Sequence, residues 1–234
     1  MKNNSLIRLE NASKSWSNGE NDLTIFSGLN WEIEGGSFVS LVGPSGIGKS
    51  TFLHVIGLLT PLDHGQLFIA NREALYSKWM ENPIRGEVGF IFQESKLIQH
   101  LTVFDNVALP LIHRGTRQGI RKNNVWQMLE NVGLTEKASY YPQYLSGGEM
   151  MRVAIARVLI YDPRILLADE PTGSLDRETG DAVVRLLRAS LTGEKALVLV
   201  THNQRLAEMA DLQYEMQEGK IQLCRNARSA KAEG

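Results

Sequence analysis

Apolar and polar residues alternate along the first third of the chain, which predicts β-structure there. Around Ile7 and Leu9, and again around Trp31, apolar positions recur with a period of two, the pattern of half-buried strands. The segment 37–43 is largely apolar and ends in glycine, which predicts a buried strand that leads into a loop. A short apolar run at 87–93 predicts a further strand.

Helical spacing replaces this alternation after residue 49 and again in the middle of the chain. From 50 to 59, apolar residues recur every three or four positions, which predicts a helix. These residues are Phe52, Val55, Ile56 and Leu59. From about 100 to 161, three periodic segments separated by polar turns predict three more helices.

The last third returns to alternating elements. We predict a strand at 165–169, a helix at 179–191, a strand at 196–200, a helix at 203–210 and a hairpin around 218–220. Strands that alternate with helices favour a parallel sheet. Because the three central helices interrupt this alternation, the pattern predicts an α/β fold with an inserted α-helical subdomain.

Composition narrows the class of protein. Of the 234 residues, 43% are hydrophobic and 22% are charged, as in globular proteins with a sizeable core. A net charge of −1 gives no electrostatic basis for binding nucleic acid, so we expect no such partner. The lone Cys224 cannot form an internal disulfide, and no apolar run approaches the ~18 residues of a membrane span. We expect a soluble intracellular protein whose residues 226–234 are disordered.

The segment GPSGIGKST, at 43–51, matches the phosphate-binding pattern G-x-x-x-x-G-K-[ST] between a predicted strand and a predicted helix. Its glycines permit a tight turn whose backbone N–H groups point at phosphate oxygens, and the helix adds its positive dipole end. In this pattern Lys49 reaches the β- and γ-phosphates, Ser50 binds Mg²⁺, and Thr51 lies near the α-phosphate. The predicted nucleotide contacts are Gly43, Pro44, Ser45, Gly46, Ile47, Gly48, Lys49, Ser50 and Thr51.

Two acids end the predicted strand at 165–169. Asp169 and Glu170 lie at its carboxyl end, where α/β sheets bind their ligands. In another context these would be two solvated acids at a strand end. Beside a phosphate site, Asp169 is predicted to hold Mg²⁺ and Glu170 to act as general base on the attacking water.

A second glycine-rich turn, LSGGE at 145–149, precedes the third central helix. Ser146 is a suitable N-cap, and Glu149 three residues later completes a capping box. The Ser146 hydroxyl and the N–H groups of Ser146, Gly147 and Gly148 therefore predict a further anion site.

With these motifs the chain resembles an ABC-type ATPase subunit over nearly its full length. The resemblance implies a P-loop NTPase (RecA-like) parallel-sheet core with an N-terminal antiparallel β subdomain and an inserted α-helical subdomain. The core then covers about 1–93 and 162–225, and the helical signature subdomain about 94–161. It also implies two subunits stacked head to tail, in which the signature turn of one caps the ATP held by the P-loop of the other. Since the chain has one copy of each motif, we expect a homodimer.

The resemblance gives roles to further residues. Gln93 stands where the family has a glutamine that senses Mg²⁺, and His202 where it has a histidine that contacts the γ-phosphate. Asp176 lies in the loop that crosses the dimer interface, and Trp16 takes the place of an aromatic residue that stacks on adenine. The implied catalytic residues are Glu170, His202 and Gln93; the metal-binding residues are Ser50, Gln93 and Asp169; and the signature and interface residues are Ser146, Gly147, Gly148, Glu149 and Asp176.

Two positions depart from the usual family pattern. Glu149 replaces the usual glutamine of the signature and puts an additional acid near the phosphates, from which we hypothesise slower hydrolysis than in Glu149→Gln. The segment 70–72 lacks the glycine usual in that hairpin, where we expect only a local effect.

The runs at 88–93, 101–111 and 168–176 resemble the branch of the family that serves lipoprotein release and macrolide export. In that branch ATP-driven dimer closure moves integral membrane (permease) subunits with few membrane helices, which implies a place on the cytoplasmic face of the plasma membrane. Three alternatives stay open. They are a relative that regulates cell-envelope enzymes, a soluble ABC protein of translation or DNA repair, and a nucleotide-binding protein without turnover. A soluble ABC protein of translation or DNA repair usually has two cassettes or a long coiled-coil insert, and this sequence shows neither. Glu170 and His202 argue against a nucleotide-binding protein without turnover.

Overall fold

The computed structural model describes residues 5–17, 22–76 and 83–227. Its elements are β1 (Ser5–Ser17), β2 (Asp22–Glu34), β3 (Phe38–Val42), α1 (Lys49–Ile56), β4 (His64–Ile69), β5 (Arg72–Glu73), β6 (Val88–Ile91), α2 (Val103–His113), α3 (Gln118–Asn131), α4 (Gly147–Leu159), β7 (Ile165–Asp169), α5 (Arg177–Ala189), β8 (Ala196–Val200), α6 (Gln204–Ala207), β9 (Leu212–Gln217) and β10 (Lys220–Asn226). Short 3₁₀ turns lie at Pro83–Glu87, Thr135–Lys137 and Pro142–Tyr144.

The N-terminal strands form an antiparallel sheet of four strands in the order β2-β1-β4-β5. Leu9 pairs with Trp31 and Ile7 with Ile33, so the apolar residues of both strands face the same side. The predicted alternation and the N-terminal antiparallel subdomain are confirmed.

The second sheet has six strands in the order β10-β9-β3-β8-β7-β6. Neighbours from β9 to β6 run parallel, and only β10 pairs antiparallel, with β9. This is the predicted parallel core, extended by the predicted hairpin. Its strand order brings the carboxyl ends of β3, β7 and β8 to one edge, where the loops that follow them meet.

The six-stranded sheet separates two apolar cores. In β8, Leu197 and Leu199 belong to a core shared with α2 to α6, whereas Val198 and Val200 belong to a core shared with α1 and the antiparallel sheet. All five residues of β8 are buried, as expected of a strand covered on both faces. Helices α1 and α4, which follow the two glycine turns, therefore pack on opposite faces of one sheet.

The predicted helices are present with changed bounds. The α1 helix ends at Ile56, and Leu58 has a φ of +59°, so Leu59 lies beyond the helix and is exposed. The α5 helix begins at Arg177, two residues before the predicted start, because Asp176 caps it. The α6 helix stops at Ala207 instead of continuing to 210.

The β4–β5 hairpin turns through Ala70 and Asn71, whose φ values are +48° and +62°. Two-residue turns of this kind need a positive φ at both positions, which glycine adopts without strain and alanine does not. The missing glycine therefore has the expected local effect, a strained Ala70.

At the other end, Asn226 is the last residue of β10 and pairs with Leu212. Hence the sheet extends into the segment 226–234 that was expected to be disordered, and residues 228–234 lie outside the described part.

Candidate active site

The first glycine turn joins β3 to α1, as the sequence predicts. Gly43 and Gly48 have φ values of +147° and +107°, and a Cβ at either would collide, with the Met216 carbonyl or with Ile25 respectively. The Lys49 ammonium group donates to the carbonyl oxygens of Gly43 at 2.9 Å and Pro44 at 2.8 Å. The loop therefore folds over the Lys49 side chain, which is buried and bonded to two of the loop's carbonyl groups.

A polar cavity of about 400 Å³ lies over this turn. It is lined by Ser45, Gly46, Gly48, Lys49, Ser50, Thr51, Gln93 and Glu170. The structure therefore brings the predicted phosphate loop together with Gln93 and Glu170, which are distant from it in sequence.

Asp169 lies behind the cavity wall, bonded to Ser50, which lines the cavity. The Ser50 hydroxyl donates to Asp169 Oδ1 at 3.1 Å, and burial raises the pKa of the Asp169 carboxyl above its usual range. A hydroxyl and a carboxylate oxygen are hard ligands that suit Mg²⁺, which usually completes its shell with phosphate oxygens and water. Among the described residues no three acidic, His or Cys side chains converge on a metal site, so a metal here depends on such additional ligands.

Glu170 and His202 come together because β7 and β8 are adjacent and parallel. The Glu170 N–H donates to the Val200 carbonyl at 2.9 Å, which aligns the residues that follow both strands. His202 Nδ1 then lies 2.8 Å from Glu170 Oε2. Glu170 has a φ of +44°, a strained conformation for a residue with a Cβ and one that recurs at functional sites. These two side chains form a hydrogen-bonded pair beside the phosphate loop, suited to acid–base chemistry.

Trp16 lies beside the first turn of α1. Its indole N–H donates to the Thr51 hydroxyl at 3.2 Å, and 46% of the residue is exposed. Lys14 Nζ lies 5.0 Å from the centre of the ring. The ring is therefore held at the border of the phosphate loop with surface left to stack on a planar ligand.

The second glycine turn lies apart from this cavity. Ser146 caps α4, and its capping box with Glu149 is present as predicted. The Ser146 N–H donates to Glu149 Oε2 at 2.9 Å, so this amide is engaged and is a poor candidate for the anion site predicted from the sequence. The amides of Gly147 and Gly148 have no acceptor in the part of the chain that the structure describes. These two amides are the donors that remain for an anion, because the Ser146 hydroxyl, like the Ser146 N–H, bonds to Glu149.

Asp176 caps α5 next to this turn. Its carboxylate accepts from the Thr179 N–H at 3.0 Å, and bonds from Thr179 hold the pKa of Asp176 below its usual range. A Cβ on Gly148 would collide with the Thr179 methyl group. Since Gly147 likewise faces Leu175, the second glycine turn and the Asp176 loop form one packed unit.

Two residues near these sites were missed by sequence reasoning. Lys137 binds Glu149, with Nζ 2.5 Å from Oε1. From α4, the Arg157 guanidinium donates to the Ser95 and Lys96 carbonyls, each at 2.9 Å, and so ties the segment after Gln93 to the helix of the second turn. Neither lies in a recognisable motif, because each acts through a contact with a segment elsewhere in the chain.

No helix in the described ranges is both long and apolar enough to cross a bilayer.

The chain is similar to known proteins of one family. The profile of the family described as ABC transporter matches residues 26–173. The lipoprotein-releasing system ATP-binding protein LolD of Paramagnetospirillum magneticum is 41% identical over 225 residues, which are 94% of this chain and 98% of that protein. The macrolide export ATP-binding/permease protein MacB of Chlorobaculum tepidum is 37% identical over 92% of this chain, but only over 33% of its own length.

A solved structure is similar as well. The dimeric post-hydrolysis state of the ATP-binding cassette MJ0796, bound to ADP and Pi, superposes with a TM-score of 0.83 at 34% identity. The match covers 94% of this chain and 99% of that one.

Proposed function

The chain belongs to the ABC transporter family as an ATP-binding and ATP-hydrolysing subunit, and we propose that it powers export, lipoprotein release or a related mechanical task of the cell envelope through separate membrane subunits. One observation carries the hydrolytic part of this proposal: the Glu170 carboxylate, bonded to His202, faces the phosphate cavity. The transport part rests on the similarity to LolD and MacB. A binding module without turnover has no need of such a pair.

In the proposed reaction, Lys49 and the amides of the first glycine turn bind the ATP phosphates. Ser50 and Asp169 would hold Mg²⁺, with Gln93 at the cavity wall nearby, and this ion neutralises phosphate charge when bound. Glu170 takes the proton of the attacking water, and His202, on the neighbouring strand end, orients the carboxylate and contacts the γ-phosphate. Trp16 stacks on the adenine.

The separation of the two glycine turns supports a dimeric site. Each subunit offers a signature turn with the free amides of Gly147 and Gly148 outside its own cavity. In a twofold dimer this turn caps the nucleotide of the partner, and Asp176 crosses the interface beside it. The dimeric form of the MJ0796 cassette supports this arrangement.

Membrane subunits are proposed to dock on the helical subdomain. Between α2 and α3 lies a groove of about 400 Å³, and two of its apolar side chains, Ile112 and Trp126, are exposed. Arg121 and Lys122 line the same groove. Asp105 lines it too, so the groove combines apolar side chains with two cations and one acid, which suits a short apolar partner segment that carries a net negative charge. Docking there would hold the chain at the cytoplasmic face of the membrane.

The test compares Glu170→Gln with Glu194→Gln, the same change in an acid that lies outside the cavity. We expect Glu170→Gln to lose ATP turnover by about 10²–10⁴-fold while it retains ATP binding and stays dimeric with ATP and Mg²⁺. A tagged Glu170→Gln chain, extracted from membranes of its native cell, should copurify with a membrane protein. Turnover at the wild-type rate would remove Glu170 from its role. A dimer that retains ribosomes, DNA or no membrane protein would refute the transporter function.

A further inference from the structure

Lys137 is bonded to the acid that departs from the usual signature sequence. Its Nζ lies 2.5 Å from Glu149 Oε1, while Glu149 Oε2 accepts the Ser146 N–H at 2.9 Å. Lys137 ends the 3₁₀ turn Thr135–Lys137, and Glu149 lies in the first turn of α4. The Glu149 carboxylate therefore bonds both to Ser146, the N-cap of α4, and to Lys137 in the separate 3₁₀ turn.

The Lys137–Glu149 ion pair also determines the net charge beside the second glycine turn. The Lys137 bond and, next to it, the Ser146 amide hold the pKa of Glu149 below its usual range. Lys137 therefore faces a carboxylate and supplies the opposite charge. An unpaired carboxylate here would repel the phosphates that approach the amides of Gly147 and Gly148. Because the Glu149 side chain is only 17% exposed, solvent screens its charge less than that of a surface acid.

We infer that Lys137 is a positioning residue for ATP hydrolysis across the dimer. It neutralises Glu149 and holds the carboxylate on the Ser146 amide, so that the signature turn stays attractive to the phosphates bound by the partner. This inference rests on the function proposed above for the signature turn. On this inference, the slower hydrolysis hypothesised for Glu149 would occur only when Lys137 is removed.

A double-mutant comparison with the full chain tests this role. Lys137→Met is measured in the wild-type background and in the Glu149→Gln background, as the ATP dependence of hydrolysis. With Glu149 present we expect the KM for ATP to rise about three- to tenfold, with a smaller change in kcat. In the Glu149→Gln background the same substitution should raise the KM by less than about twofold, because no carboxylate is left uncompensated. Lys137→Arg, which keeps the cation, should retain the wild-type KM.

Controls separate this role from packing. Lys195→Met removes a lysine whose Nζ lies 2.5 Å from Asp162, outside the cavity and the signature turn, and should leave the KM unchanged. An equal rise in KM in the wild-type and Glu149→Gln backgrounds would make Lys137 a packing residue and overturn the inference. An unchanged KM in the wild-type background would overturn it as well. If the wild type and Glu149→Gln both fail to hydrolyse ATP, the proposed function itself fails, a result distinct from either of these.

Discussion

Gly148 is the position where the packing of the signature turn can be tested most directly. Its Cα faces Thr179 at the start of α5, and a Cβ there would lie far inside the 3.0 Å that Cβ atoms keep from other heavy atoms. Rotation of the Thr179 side chain away from this clash would break the bond from its hydroxyl to Asp176. Gly148→Ala must therefore push α4 away from α5.

The expected cost follows from two opposing effects. Overpacking of this kind destabilises a protein by about 1–3 kcal/mol. Replacing glycine by alanine in a helix returns up to about 1 kcal/mol, and somewhat less in the first turn. With a return of about 0.5 kcal/mol in the first turn, the net loss should be about 0.5–2.5 kcal/mol. Thr179→Ser removes the clashing methyl group and keeps the hydroxyl, so it should abolish most of this loss.

Urea unfolding of the wild type, the two single variants and the double variant gives the coupling energy. We expect a coupling of about 1–3 kcal/mol in favour of the double variant, because the helix-propensity gain occurs in both backgrounds and cancels. Equal destabilisation by Gly148→Ala in the wild-type and Thr179→Ser chains would refute the packing argument. ATPase activity adds a second reading: a double variant that regains stability without activity would show that Gly148 is also needed for close approach of the phosphates.

Two further predictions concern the β4–β5 hairpin and the phosphate loop. Ala70→Gly should stabilise the chain by about 0.4–1 kcal/mol in urea unfolding, because it relieves a residue with a φ of +48°, and a loss of stability would contradict the strain assigned to that turn. Lys49→Ala should weaken ATP binding, measured by titration with a fluorescent ATP analogue, because it removes the buried cation of the turn. Unchanged affinity would count against the assignment of residues 43–51 as the phosphate site.

Local patterns predicted much of the site. The first glycine turn, the strand that ends at Asp169 and the Ser146 capping box each depend on residues within a few positions of one another, and the structure has all three. The early start of α5 could also have been predicted, because aspartate is a preferred N-cap residue and Asp176 directly precedes the helix.

Contacts between distant segments could not be predicted in this way. The α6 helix stops early because Asp211 must reach β3, where its N–H donates to the Phe38 carbonyl at 2.8 Å and the following residue pairs with Val39. Helical spacing gives no sign of that contact. Likewise, the bonds from Arg157 to the segment after Gln93 span 61 and 62 residues and leave no periodic trace in the sequence.

The placement of the glycine turns on opposite faces of one sheet bears on how two catalytic sites could exchange information. The second turn packs on Leu175 and Thr179, which lie on either side of Asp176. The loop that contains Asp176 follows Glu170 by only a few residues. If the turn binds the partner's nucleotide as proposed, a pull on it would displace the Asp176 loop, which it contacts directly, before it disturbed the phosphate loop across the sheet. In the proposed dimer, the occupancy of the opposite site would then be felt at Glu170, the proposed general base of the same subunit.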